Sequence, residues 1–170
     1  GEEHGREYFF TTREEFDRLI VDGEFLEYAE VHGNMYGTSL LESEKISRSG
    51  KDLIVEIDVQ GALQILEKRP DECISIFILP PSFEILQARL TARGTEGQTE
   101  LTTRLKNAFN EVQQYKKFKY VVVNEDLPVA TRQIASIIIA ERQKRDRQTD
   151  AIQAILNSFD ASKHLFDGDS

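Results

Sequence analysis

The 170-residue sequence has no tryptophan, one methionine and a single cysteine, Cys73. One thiol excludes an internal disulfide and leaves too few thiolates for a cysteine zinc site. Beside an apolar stretch, Cys73 suits a small core or surface residue better than a nucleophile, and a reducing, cytoplasmic setting is expected. No apolar run approaches the roughly 18 residues of a membrane span, and no signal-peptide pattern opens the chain, so no membrane partner is expected. An excess of positive charge is also lacking: 21 Lys and Arg face 30 Asp and Glu, for a net charge of −9. The imbalance sits in residues 1–60, with fifteen acids and six bases, whereas residues 61–170 carry fifteen of each. An acidic first third argues against a broad nucleic-acid-binding face, and no nucleic-acid partner is expected. With 39% hydrophobic and 30% charged residues, the chain reads as one soluble globular domain with ample length for a core.

What is present is strongly patterned. Thr12-Arg13-Glu14-Glu15 is a capping box, followed by Phe16, Leu19 and Ile20 at helical spacing, and Gly23 ends a helix predicted over about 12–22. Residues 25–31 alternate and read as a strand with Glu27 on one face. A glycine-punctuated loop is predicted over 32–39, then a short helix ending near Gly50. Residues 53–58, 75–79 and 120–124 are nearly continuous apolar strands. Helices are predicted between and after them, over 60–68, 82–94, from about 99 to 118, and over about 127–147. Apolar strands separated by helices indicate an α/β fold with a parallel sheet covered by helices. The acidic first third reads as a small, half-exposed, antiparallel insert. A last helix over 150–159 carries the stripe Ala151, Ile152, Ile155, Leu156 and Phe159. Packing on the core is the default reading for that stripe, and a contact in a homo-oligomer is the sharper one.

In such folds ligands bind beyond the carboxyl ends of the parallel strands, where Glu56, Asp58 and Asn124 fall. Glu56 and Asp58, two apart on a strand, would point to the same side. Two solvated carboxylates are the plain reading, while phosphoryl-transfer enzymes place an acid there near metal or nucleotide. Arg89 and Arg93 share a helix face and Arg104 follows a Gly-Thr-Glu-Gly turn; they form either a solvated basic face or a lid closing on polyphosphate. Glu27, Tyr36 and Thr38 supply a carboxylate for the N1–H and N2–H donors of guanine and a hydroxyl for its O6, or else an ordinary turn. His4, His32 and His164 lack metal-ligand spacing and read as surface residues, so no direct metal ligand is expected.

From Glu7 to Arg142 the chain resembles the small bacterial guanylate kinases. The matching words are GEEHGREYFF, GEFLEYAEVHGNMYGTS, VEIDVQGA, SIFILPPS, RLTARGTE and VVVNEDL, in family order and spacing. The resemblance implies a P-loop kinase-like core with a β-rich GMP-binding insert and a helical lid. It implies transfer of the γ-phosphoryl group of ATP to GMP, with Mg²⁺. Onto matching positions it carries Tyr8 and Tyr36 to the GMP phosphate, and Glu27, Thr38 and Asp58 to guanine. Glu56 comes near the phosphates and metal-bound water, Asn124 near adenine, and Arg89, Arg93 and Arg104 are the lid arginines. The implied layout is one domain: residues 1–52 bind GMP, 53–88 and 113–150 form the core, 89–112 the lid, and 151–170 a C-terminal helix and tail.

One departure is large. The family's glycine-rich phosphate loop ending in Lys-Ser or Lys-Thr, and the Thr-Thr-Arg-x-Pro-Arg-x-Gly segment after it, are not among these 170 residues. The sequence is therefore expected to be an N-terminally incomplete record of a whole kinase. The alternative is a catalytically inactive guanylate-kinase-like module that binds protein or nucleotide. Retention of the lid arginines and the base-reading set argues against it. That set also disfavours a kinase for a different monophosphate. Expressed alone, the 170 residues are expected to show no ATP-dependent GMP phosphorylation, because no lysine-bearing loop grips the β- and γ-phosphates. A coupled assay for ADP, run once intact mass has confirmed the chain, checks this; robust turnover would show that another part of the sequence replaces the loop.

Overall fold

The computed structural model describes residues 3–5, 8–31, 33–93 and 98–163. The elements run α1 (Arg13–Val21), β1 (Phe25–Val31), β2 (Asn34–Ser39), α2 (Leu40–Arg48), α3 (Val59–Lys68), β3 (Ile76–Leu79), α4 (Phe83–Arg93), α5 (Gln98–Glu111), β4 (Tyr120–Val123), α6 (Leu127–Arg142) and α7 (Thr149–Ala161). They fall into two compact units, one of Gly1–Ser75 with Thr102–Lys119, the other of Ile76–Leu101 with Tyr120–Ser170.

The first unit is built on the β1–β2 hairpin. Its α1 starts where the sequence places a cap: Thr12 Oγ1 accepts from Glu15 N–H at 3.2 Å. Gly23, at φ 73°, takes the left-handed conformation that turns the chain toward β1. Phe16 stacks on Phe25 at 4.6 Å between ring centroids, and Phe16, Leu26 and Ala29 are buried. Of the predicted loop over 32–39, Asn34–Ser39 is instead the antiparallel strand β2, with Val31 paired to Asn34 and Gly33 at φ 82°, while His32 lies outside the described residues. A two-residue connection with a left-handed glycine is hairpin chemistry, and β1 supplies the ladder that a glycine-spaced segment needs to be extended. Ser39 and Asp58 then cap α2 and α3.

Residues 53–58, expected to be a strand, belong to no sheet, and Ile54 is 78% exposed. Apolar sequence alone does not make a strand; the ladder needs a neighbour, and no described segment pairs with this one. The expectation of three parallel strands thus becomes two among the described residues.

The second unit holds those two. β3 and β4 pair in parallel, Ile76 opposite Tyr120 through Leu79 opposite Val123, with Phe77, Val122 and Ala130 buried. α6 ends at Arg142 rather than near residue 147, and a short 3₁₀ turn over Arg145–Arg147 follows. The stop coincides with a polar clasp. Glu141, 3% exposed, accepts from the Tyr120 hydroxyl at 2.5 Å and pairs with Lys144 Nζ at 2.6 Å. The expected 99–118 helix likewise gives way to a 3₁₀ turn at Val112. The α7 stripe does not pack on the core as expected: Ile152, Ile155, Leu156 and Phe159 are exposed, Phe159 by 71%. No described helix is long and apolar enough to cross a membrane.

The ion pair to Lys144 and the hydrogen bond from Tyr120 hold the Glu141 carboxyl below the usual carboxylate range. A depressed native pKa contributes stability above the unfolded-state value, and that contribution is lost as pH falls through the native one. Tyr120→Phe removes the donor from a buried carboxylate and is expected to lower the melting temperature at neutral pH more than Tyr115→Phe does. The deficit should shrink as the carboxylate protonates on acidification. Thermal melts across a pH series check both statements; equal melting temperatures for the two variants at neutral pH would remove the clasp from the stability of this unit.

Candidate active site

The most unusual side chain of the first unit is Glu27, a carboxylate only 3% exposed on a strand. Two neighbouring elements hold it there. Across the hairpin Glu27 lies opposite Thr38, whose Oγ1 donates to Glu27 Oε1 at 2.6 Å. A register irregularity between Phe25 and Glu27 lets Leu26 and Glu27 both be buried, which strict alternation along an open sheet would forbid. From the other side comes the start of α3. Its cap Asp58 accepts at Oδ1 from Gly61 N–H at 2.9 Å and at Oδ2 from Gln60 Nε2 at 3.1 Å. Gly61 sits against the Glu27 carboxylate: a Cβ there would overlap Oε2 and come 3.0 Å from Cδ.

Burial is the main cause raising the pKa of Glu27 above the usual glutamate range; the Thr38 hydroxyl opposes it, the Asp58 charge adds to it, and Lys68 opposes it. The residue is thus a buried carboxylate with a hydroxyl beside it and a second acid near. Such an array accepts hydrogen bonds from a planar N–H donor edge.

Of the other expected site residues, Tyr8 and Tyr36 are brought together. Their rings meet edge-on at 5.6 Å and both are partly exposed. Glu56 is exposed on the unpaired stretch before α3. Arg104 lies half-buried on α5 in the first unit. In the second unit Arg89 extends from α4 to the end of β4, donating Nη1 to Asn124 O at 2.8 Å and Nη2 to Glu125 O at 3.1 Å. Asn124 N–H in turn donates to Leu79 O at 2.7 Å, so Arg89 and Asn124 share the carboxyl end of the parallel pair. Arg93 closes α4 and its side chain lies outside what is described, as does the Gly94–Gly97 part of the expected lid.

Sequence reasoning missed Gly61, Gln64 and Lys68. Gln64 brackets Tyr28, accepting from its N–H at 3.3 Å and donating to its carbonyl at 2.6 Å, and Lys68 Nζ reaches Leu26 O at 3.4 Å. The available signal was a glycine inside a good helical pattern, which asks for a packing reason.

A parallel strand pair between helices in one unit, and a helix-packed hairpin in the other, make this an α/β protein. The guanylate kinase family model matches residues 1–141. The guanylate kinase of Neisseria meningitidis serogroup A is 46% identical over 158 residues, 93% of this chain and 77% of that protein. That of Clostridium tetani is 47% identical over 152 residues, 89% of this chain and 73% of that one. The crystal structure of guanylate kinase from Anaplasma phagocytophilum superposes with a TM-score of 0.73 at 38% identity, covering 86% of this chain and 71% of that one. The chain belongs to the guanylate kinase family.

Because the raised pKa favours the neutral carboxyl in the native state, Glu27 lowers stability once ionised, and stability should rise as pH falls through the window between its native value and the ordinary one. Glu27→Gln removes that ionisation. Urea unfolding between about pH 4 and 8 is expected to show the variant at least as stable as the parent at the alkaline end, the difference shrinking on acidification. A variant less stable at every pH would mean that the ionised carboxylate supports the fold.

Proposed function

We propose that this chain carries the GMP-reading and phosphoryl-clamping parts of a guanylate kinase, the whole reaction moving the γ-phosphoryl group of ATP to GMP to give ADP and GDP. The observation that carries the reading is the buried Glu27 carboxylate, paired with Thr38 Oγ1 and close to Asp58. Guanine presents N1–H and N2–H donors beside an O6 acceptor. A carboxylate accepts at roughly four lone-pair positions, so Glu27 and Asp58 retain capacity for those donors while keeping Thr38 and the α3 cap. The Thr38 hydroxyl can turn its proton to O6 once N1–H takes its place on Glu27. Adenine, with an N6 donor and no N1–H, would set an acceptor against an acceptor.

Tyr8 and Tyr36 offer two hydroxyls for the GMP phosphate from one spot on the first unit. An oxygen of that phosphate is the nucleophile. It is already ionised near neutral pH, so the side chains need no general base; their work is orientation and charge neutralisation. We assign the latter to Arg89, Arg93 and Arg104, and adenine contact to Asn124. Arg89 uses two of its five N–H donors on the carbonyls of Asn124 and Glu125, leaving the rest for phosphate oxygens.

Family chemistry calls for a divalent metal, and Mg²⁺ is the ion we assign. The described residues hold no group of three or more His, Cys, Asp or Glu able to cage an ion. That fits an ion held chiefly by nucleotide phosphates and water, which needs one or two carboxylates at most. Glu56, exposed ahead of α3, would take a water-mediated contact. When bound, the ion would neutralise charge on the transferring phosphate.

Glu27→Gln keeps the shape of the side chain but turns one acceptor into donors facing those of guanine. Affinity for GMP, measured calorimetrically on the chain, is expected to drop by about 1.5–3 kcal/mol, roughly ten- to hundred-fold. Unchanged GMP affinity with AMP still rejected would take Glu27 out of base recognition.

A further inference from the structure

Three residues of α3, spaced three and then four apart, face three consecutive residues of β1. Gly61 meets the Glu27 carboxylate, the Gln64 amide brackets the Tyr28 backbone at 3.3 and 2.6 Å, and Lys68 Nζ reaches Leu26 O at 3.4 Å. The spacing puts 61, 64 and 68 on one helix face. The Gln64 pair mimics a neighbouring strand, offering an acceptor and a donor to one residue of β1. Lys68 fixes the residue before Glu27 and Gln64 the residue after it. Between them Gly61 leaves the hollow into which the carboxylate fits, and its own N–H holds Asp58 Oδ1 at 2.9 Å.

We infer that Gly61 and Gln64 are positioning residues for purine selection: this face of α3 sets the height and direction of the Glu27 carboxylate, and the hollow at Gly61 is what allows Glu27 and Asp58 to converge on one edge of the base. The inference rests on the reading that Glu27 recognises guanine. Glycine is a poor choice for the first turns of a helix on propensity grounds, and here it has ordinary helical φ, so no turn or left-handed backbone requires it. What requires it is the carboxylate. An added methyl would displace Glu27 Oε2 and touch Asp58 Oδ1 at 3.4 Å, while alanine would itself favour the helix.

The test is a double-mutant cycle on the 170-residue chain, with affinities for GMP and for inosine monophosphate, which lacks the 2-amino donor, measured by calorimetry. Gly61→Ala is expected to weaken GMP about tenfold or more and inosine monophosphate less, narrowing the preference for GMP. In a Glu27→Gln background the same substitution should change GMP affinity by less than about threefold, because the group it displaces no longer contributes. Gln64→Met, which leaves Gly61 intact, should also narrow the preference, by a smaller factor; it carries the test if Gly61→Ala does not fold. A purely structural role would lower melting temperature and weaken both nucleotides equally, and that result would overturn the inference. So would parental GMP affinity in Gly61→Ala, or a full tenfold loss persisting beside Glu27→Gln. If Glu27→Gln alone leaves GMP affinity unchanged, the guanine reading itself fails; loss with Glu27→Gln but not with Gly61→Ala or Gln64→Met sinks only the positioning role.

Discussion

Burying one carboxylate governs the layout of the first unit. An acid removed from water costs several kcal/mol unless hydrogen bonds offset it, and Glu27 meets that cost only in part through Thr38. Around it every local element is committed. The hairpin must keep the register that sets Thr38 opposite, α3 must begin at Asp58, and position 61 must lack a side chain. A native pKa raised above the usual range is the electrostatic record of this incomplete compensation. A slot built for stability alone would hold an apolar residue, and under the proposed function a ligand brings this one the missing donors.

How much of this was legible in the sequence differs by element, for physical reasons. The cap at Thr12, the strand β1 and the apolar runs of β3 and β4 depend on neighbours in sequence and formed, although burial along β1 does not alternate as read. The β2 strand did not show, because Gly33 and Gly37 look like loop residues until β1 supplies a ladder; Gly37 is needed where its α-carbon passes the Phe25 ring, where a Cβ would sit 2.9 Å from the ring carbons. Residues 53–58 erred the other way: apolar content signals burial, whereas pairing is a property of a second segment that the local pattern cannot contain. The α7 stripe is the same lesson, since periodicity says that a helix has an apolar face and not what covers it.

The candidate site was legible as chemistry but not as architecture. Residue types and spacing were enough to nominate Glu27, Tyr36 and Thr38, and the hairpin register does put Glu27 opposite Thr38. The meeting of Tyr8 with Tyr36, from segments 28 residues apart, was implied by the family resemblance and not by residue types or spacing, and the geometry came with the fold. So did Gly61, whose function is the absence of atoms. No residue-type argument nominates a hydrogen for a site; only the carboxylate placed against it does.

The second unit divides its one parallel pair between two tasks. At the carboxyl ends, Leu79 O receives Asn124 N–H, and Asn124 O receives Arg89, so the point where the chain leaves β4 is tied to α4 by backbone and guanidinium together. Ligands of open α/β sheets bind at that edge, and a charged side chain anchored on carbonyls keeps its remaining donors in a defined direction. At the amino end of β4, Tyr120 is tied by its hydroxyl to Glu141 in the last turn of α6, and through it to Lys144 just beyond that helix. In that clasp the carboxylate is met by a hydroxyl and an ammonium. The contrast with Glu27 is electrostatic. Both acids are 3% exposed, but the partners of Glu141 draw its pKa down while the surroundings of Glu27 push it up. Burial alone thus does not set the direction of a carboxylate's shift; the number and charge of the donors that meet it do.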